Sequence, residues 1–265
     1  MKITVFGANG LTGRRLVQQA IDAGHDLVAV TRHPAVYPLT HERLVVAEAD
    51  AHDPGAVARA VDGADAVLSA LGVPFTRKPI SIYSVGVRTI IDAMTRHEVK
   101  RLAVVSSTAV EPHRHADGGF LLNRIMQPMV SKTIGKTTYT DMRAMEAILR
   151  DTILDWTVIR AAGLFDTNHV SHYQVSDGPL DGIFTSRADL ADLLLAQASD
   201  TTYAGKAIEI TTSEGAPTLW QMIRREAFSR GETDHAGPQE GASLEPAVLR
   251  RPANVHHSTA RSTSP

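Results

Sequence analysis

Along the first 160 residues, short apolar runs alternate with stretches whose apolar positions recur at helical spacing. "KITVF" (2–6) reads as a buried strand. Residues 11–23 follow with apolar Leu11, Leu16, Val17 and Ala20, and Gly24 ends the helix. The same rhythm predicts strands at 26–30 ("DLVAV"), 43–49 ("RLVVAEA"), 65–70 ("DAVLSA"), 100–107 ("KRLAVVSS") and 155–160 ("DWTVIR"). Helices are expected at 54–61, 80–97 and about 137–150. Pro54 sits where a first turn tolerates proline, behind Asp53 as N-cap. Strands alternating with helices imply an α/β chain with a doubly wound parallel sheet and right-handed crossovers.

Past strand six the rhythm loosens. "SHYQVS" (171–176) and "KAIEIT" (206–211) read as short strands, with a helix at about 187–198 between them and another at 218–228. From about residue 161 these elements are expected to form a small substrate-side region over the carboxyl ends of the strands, where open α/β sheets bind ligands. Residues 1–230 then make one domain. The stretch 231–265 has no aromatic residue and no isoleucine, and reads as a disordered tail.

With 43% hydrophobic and 21% charged residues, the composition is that of an ordinary globular protein. A formal net charge of −2 gives no electrostatic reason to expect nucleic acid or an anionic membrane as partner. The absence of cysteine excludes disulfides, thiolate nucleophiles and cysteine-held metals. The start "MKITVFGANG" lacks the apolar run of a signal peptide, and no run approaches the roughly 20 apolar residues of a spanning helix. A cytoplasmic monomer or homodimer acting on a small molecule is expected.

"GANGLTG" (7–13) lies at the first strand–helix junction, the context a phosphate-binding turn requires. Gly7 permits the tight turn, Gly10 lets backbone approach a pyrophosphate, and Gly13 lets the first helix pack on the sheet. Asn9, Leu11, Thr12 and Arg14 join them as cofactor-binding candidates. The spacing is G-x-x-G-x-x-G rather than G-x-G-x-x-G. Strand two ends "VAVTRHP", with no acid to hold ribose hydroxyls, and Asp26 lies at its wrong end. Arg32 can pair with a 2′-phosphate and Arg14 can assist, which favours NADP(H) over NAD(H). The competing reading is two solvated surface arginines. Asp50, with Ala51 beside it, is placed to accept from the adenine amino group. Ser69, Leu71 and Gly72 of "SALG" would run beside the adenosine and pyrophosphate. Ser106 and Ser107 end strand five near the expected nicotinamide position, and Ser106 is taken as the site residue.

These features together resemble the atypical short-chain dehydrogenase/reductase superfamily, more narrowly its NAD(P)H-binding group of NmrA-like and biliverdin reductase B-type flavin reductases. "GANGLTG", Arg32, "ADAHDP", "VVSS", "DMRAMEAILRDTILDWTVIR" and "SRADLADLLL" carry the resemblance over about residues 1–215. It implies a Rossmann fold. The wider superfamily uses Y-x-x-x-K, a tyrosine acid with a lysine that lowers its pKa and holds the nicotinamide ribose. Here Tyr139 and Arg143 stand in those places, on one helical face. Arg143 could hold the ribose but cannot shuttle a proton as lysine does. The alternatives are that Arg143 pairs with Glu146 or Glu111 and that Tyr139 is ordinary packing. "IRAAGL" (159–164) also departs from relatives that carry proline after the arginine.

The resemblance to flavin reductases implies direct hydride transfer to a conjugated acceptor, which delocalises the incoming charge. An NADP(H)-dependent oxidoreductase acting on a flavin, quinone or enone is therefore expected, with Ser106, Tyr139 and Arg143 on the catalytic side. NmrA-like relatives imply a rival, a non-catalytic redox sensor; an epimerase or dehydratase with a tightly held cofactor is a third reading. His113 with His115, and His169 with His172, lack a carboxylate at a metal-motif spacing, so no metal is expected. The apolar stretch 118–136 reads as a helix broken near Pro128, serving as a lid, a subunit contact or plain packing.

Overall fold

In the computed structural model, residues 1–74, 76, 78–111 and 135–217 are described. The strands are β1 (Lys2–Phe6), β2 (Asp26–Thr31), β3 (Leu44–Glu48), β4 (Ala66–Ser69), β5 (Arg101–Ser107), β6 (Asp155–Ala161), β7 (Gly163–Phe165), β8 (Tyr173–Ser176), β9 (Phe184–Ser186) and β10 (Lys206–Thr212). The helices are α1 (Leu11–Asp22), α2 (Pro54–Val61), α3 (Ser84–Arg96), α4 (Lys136–Arg150) and α5 (Arg187–Ala196). Eight strands form one sheet in the order β3-β2-β1-β4-β5-β6-β10-β8. All its pairings are parallel except β10 with β8. The order reverses between β1 and β4, and the crevice outside their carboxyl ends is where this doubly wound fold takes a ligand.

The sheet separates two apolar layers. On one face α2, α3 and α4 pack with Val57, Val87, Ile90, Met94, Met145 and Leu149 buried. On the other face α1 and α5 bring Leu16, Val17, Ala20, Leu190 and Leu194 together. The central strands are buried on both faces, which is why they read as continuous apolar runs. Asp53 accepts from the amides of Gly55 and Ala56, capping α2 ahead of Pro54 as expected.

Two expectations change. The helix predicted from residue 80 begins at Ser84, because the Asp141 carboxylate on α4 accepts from Tyr83 N–H and Ser84 Oγ and fixes the start there. The pieces after strand six do not all fold over the carboxyl ends of the sheet. β10 adds to β6, β8 forms the antiparallel edge, and α5 packs against α1. The small β7–β9 pair continues past the carboxyl end of β6. The expected helix at 218–228, the tail and the 118–134 part of the apolar stretch lie outside the described residues.

A Cβ on Gly13 would lie 2.2 Å from Gly7 O and 2.8 Å from Ala8 Cα, both backbone atoms. A Cβ on Gly72 would meet nothing within 4 Å. Gly13→Ala is therefore expected to lower the unfolding free energy by at least about 1–3 kcal/mol. Gly72→Ala should change it by no more than about 0.5 kcal/mol. Urea unfolding of both variants checks this contrast.

Candidate functional site

The turn between β1 and α1 is built by backbone approaching backbone. Gly7 has φ +72°, and a Cβ there would sit 2.5 Å from Ala70 O at the end of β4. Ala8 N–H donates to Val30 O on β2, so the turn is tied to both neighbouring strands. Gly10 is the N-cap of α1, no side chain caps that end, and its first turn carries no acid. The amides of Leu11, Thr12 and Gly13 therefore face the crevice edge without a capping side chain, at the positive end of the helix dipole. Leu11 is exposed, and a Cβ on Gly10 would meet only Gly7 O at 3.3 Å. This uncapped cradle fits the pyrophosphate of a dinucleotide.

The same side of the crevice continues along the ends of β2, β3 and β4. Arg32 is exposed and makes no hydrogen bond or ion pair among the described residues. Arg14 is less free than expected: Nε donates to Asn9 O and Oδ1 at 3.0 Å each, and an Nη donates to Oδ1 at 2.7 Å. Asp50 Oδ1 accepts from His52 N–H at 2.9 Å and lies 2.9 Å from His52 Nδ1. Those hydrogen bonds, with a smaller contribution from the Arg32 charge, hold the Asp50 carboxyl below its ordinary range. Its Oδ2 has no partner among the described residues. Ser69 is buried at the end of β4, while Ala51 and Leu71 meet at Gly86 of α3, where a Cβ would lie 3.3 Å from each. Gly72 beyond them borders open space.

The other half of the crevice lies between β5 and α4. Even-numbered Leu102, Val104 and Ser106 of β5 face α4. Ser106 is thereby turned inward: it is buried, and its hydroxyl donates to Glu146 Oε1 at 2.7 Å. The serine that meets Tyr139 is its neighbour Ser107, which also accepts from Ala109 N–H to start the turn after β5. Burial pushes the Tyr139 phenol up, and the hydrogen bond with Ser107 works in the opposite direction. Arg143 pairs with neither Glu146 nor Glu111. Its Nε donates to Val110 O at 2.9 Å, and its Nη atoms have no partner among the described residues.

Glu146 and Glu111 are both taken by Arg160 at the end of β6, each at 2.6 Å. Glu146 is 1% exposed and Arg160 7%. Burial alone would disfavour the Arg160 cation, but its hydrogen bonds to the two carboxylates hold its pKa above the ordinary value. Arg150, half exposed, adds longer contacts to both acids. This cluster fixes α4 on β5 and β6, and with it the level at which Tyr139 and Arg143 stand.

Residues 7–201 match a family model described as NAD(P)H-binding. The chain belongs to this family. It is 28% identical over 169 residues to an uncharacterized protein of Mycobacterium tuberculosis, an alignment covering 63% of this chain and 16% of that protein. The chain thus spans a small part of the curated relatives it matches. Among solved structures it resembles a short-chain dehydrogenase/reductase from Veillonella parvula in complex with NADP (TM-score 0.67, 18% identity, 82% of this chain and 99% of that one). It also resembles an anaerobillin reductase from Escherichia coli O157:H7 (TM-score 0.65, 21% identity, 82% and 100%). A third is an oxidoreductase from Lactococcus lactis (TM-score 0.66, 20% identity, 90% and 100%). At these identities the likeness is one of fold, and it agrees with the family and with the resemblance read from the motifs.

Within this NAD(P)H-binding fold, sequence reasoning missed Ser107 as the partner of Tyr139 and missed the Glu146–Arg160 pair. A signal existed for Glu146, which lies seven residues after Tyr139 and so on the same face of α4. Nothing local marks Asp141 as the cap of α3 or Tyr83, whose buried phenol accepts from Val73 N–H. His169 lies 3.1 Å from Glu214, both exposed, and no group of three metal-ligating side chains occurs among the described residues. His113 and His115 lie outside them. No helix of the described residues is long and apolar enough to cross a membrane.

Removing one partner of a buried ion pair leaves the other uncompensated. Glu146→Ala is expected to cost about 3–5 kcal/mol of unfolding free energy. Arg150→Ala, at a half-exposed position, should cost less than about 1 kcal/mol. Denaturant titration of the two variants compares them directly.

Proposed function

We propose that this chain is an NADP(H)-dependent oxidoreductase that passes hydride to a small conjugated acceptor of the flavin, quinone or enone type. The observation that carries this reading is the state of the Tyr139–Arg143 pair. Burial raises the tyrosine pKa, and the arginine that replaces the usual lysine is tethered to a backbone carbonyl. Such a pair is poorly set to deliver a proton in step with hydride, as a simple ketone requires. A conjugated acceptor spreads the incoming charge over its own atoms and takes its proton later from water.

The bound nicotinamide would supply the hydride. The chain's own part is binding and orientation. The amides of Leu11, Thr12 and Gly13 would hold the pyrophosphate, Asp50 would accept from the adenine amino group, and Leu71 and Gly72 would border the adenosine. Arg32 selects the 2′-phosphate. The Ser107–Tyr139 pair borders the nicotinamide, with Arg143 toward the ribose or the acceptor, while Ser106 acts only through Glu146. Their part would be to align the two rings and keep water from between them. The same weak Tyr/Arg pair favours one rival, a non-catalytic NADP-binding sensor.

The test is NADPH and NADH consumption by purified protein against flavins, quinones, enones and simple ketones. Turnover with conjugated acceptors but not ketones is expected, with NADPH preferred. Tyr139→Phe should keep that turnover within about tenfold of wild type, short of the roughly 100- to 10,000-fold loss expected for a general acid. Saturable NADPH binding with no turnover on any acceptor would move the conclusion to the sensor.

A further inference from the structure

Ser81 lies exposed just before α3, and the segment that follows β3 brings two side chains to it. His52 Nε2 is 3.3 Å from Ser81 Oγ, and His52 Nδ1 is 2.9 Å from Asp50 Oδ1. Carboxylate, imidazole and hydroxyl thus form one hydrogen-bonded series, although Ser81 is 29 residues from His52 in the chain. The His52 and Asp50 side chains are 40% and 45% exposed. Contacts this open to solvent add little to stability, so packing does not account for the arrangement.

The order of the groups is that of an activated nucleophile: a hydroxyl, a base in reach of it, and a third group that orients the base. Asp50 also accepts from His52 N–H, and the hydrogen bonds from His52 hold its carboxyl below the ordinary range. The ionised carboxylate takes the proton-bearing Nδ1, which leaves Nε2 as the acceptor for the Ser81 hydroxyl. Ser81 O accepts from Val85 N–H at 2.9 Å, so the serine opens the turn that leads into α3. The next amide, Ile82 N–H, has no partner among the described residues. The amide after the nucleophile is the donor that holds the oxyanion where a serine stands at the entry to a helix.

We propose that Ser81, His52 and Asp50 form a nucleophilic site that hydrolyses small carboxylic esters, an activity separate from hydride transfer. Ser81 Oγ bonds to the carbonyl carbon as His52 Nε2 takes the hydroxyl proton, and Ile82 N–H donates to the oxyanion that results. The bond from that carbon to the alcohol oxygen then breaks, and the alcohol leaves with the proton from His52. Water, giving its proton to His52, cleaves the acyl–Ser81 bond and releases the acid and the free serine. The exposure of the three side chains admits both a small ester and this water. The site does not depend on the oxidoreductase reading.

Reaction of the purified protein with a fluorophosphonate, with no nicotinamide cofactor added and the adduct located by peptide mass spectrometry, tests it. The reagent is expected to phosphonylate Ser81 with loss of fluoride. His52→Gln should slow that labelling by at least about 100-fold. Ser81→Ala should abolish it and reduce p-nitrophenyl acetate hydrolysis to the uncatalysed rate. Both substitutions are at exposed positions, so the melting temperatures should stay at the wild-type value. No label at Ser81, equal labelling without His52, or wild-type hydrolysis no faster than that of Ser81→Ala would overturn the proposal and leave the oxidoreductase reading in place.

Discussion

The close approach of three backbone segments, the turn after β1, the first turn of α1 and the end of β4, is the constraint on which the site depends. Gly7 and Gly13 leave no room for a Cβ: the nearest atoms would be Ala70 O and Gly7 O, at 2.5 and 2.2 Å. Only glycine lets the helix start this near the sheet, and that nearness brings the uncapped amides of α1 to the point where the strand order reverses. This half of the crevice is thus a consequence of steric exclusion at two positions, more than of any charged group.

The opposite half is held by a different kind of force. α4 is fixed by ionic and hydrogen-bonded contacts along one side: Asp141 to the start of α3, and Glu146 to Ser106 and Arg160. Buried charges of this kind are costly unless fully partnered. Here Glu146 is matched by the Arg160 guanidinium and the Ser106 hydroxyl. The helix therefore has one favourable position on β5 and β6, and Tyr139 meets Ser107 in that position. The crevice combines a glycine-shaped cradle on the α1 side with an ion-locked helix on the α4 side.

Most of the architecture was legible in the chain. β1, β2, β5 and β6 fall within a residue or so of the runs that marked them, because strands buried on both faces need continuous apolar residues. The glycine turn was legible for the same local reason, a backbone conformation that few residues accept. The pieces beyond strand six were less legible, since "KAIEIT" and "SHYQVS" carry no signal saying which neighbour they pair with. β10 joins β6 and β8 joins β10 only because crossovers bring them there.

What the sequence determined by itself is the α/β alternation, the glycine turn after β1 and the absence of an acid after β2, all properties of contiguous residues under local steric and periodic rules. Tertiary structure alone decided which serine faces Tyr139 and that Arg143 is tethered to Val110 rather than to Glu146 or Glu111. Those outcomes depend on groups far apart in the chain, such as Asp141 and Tyr83, 58 residues apart. Each charged or polar side chain had several partners within reach in principle, and only the packing of helices on the sheet chose among them.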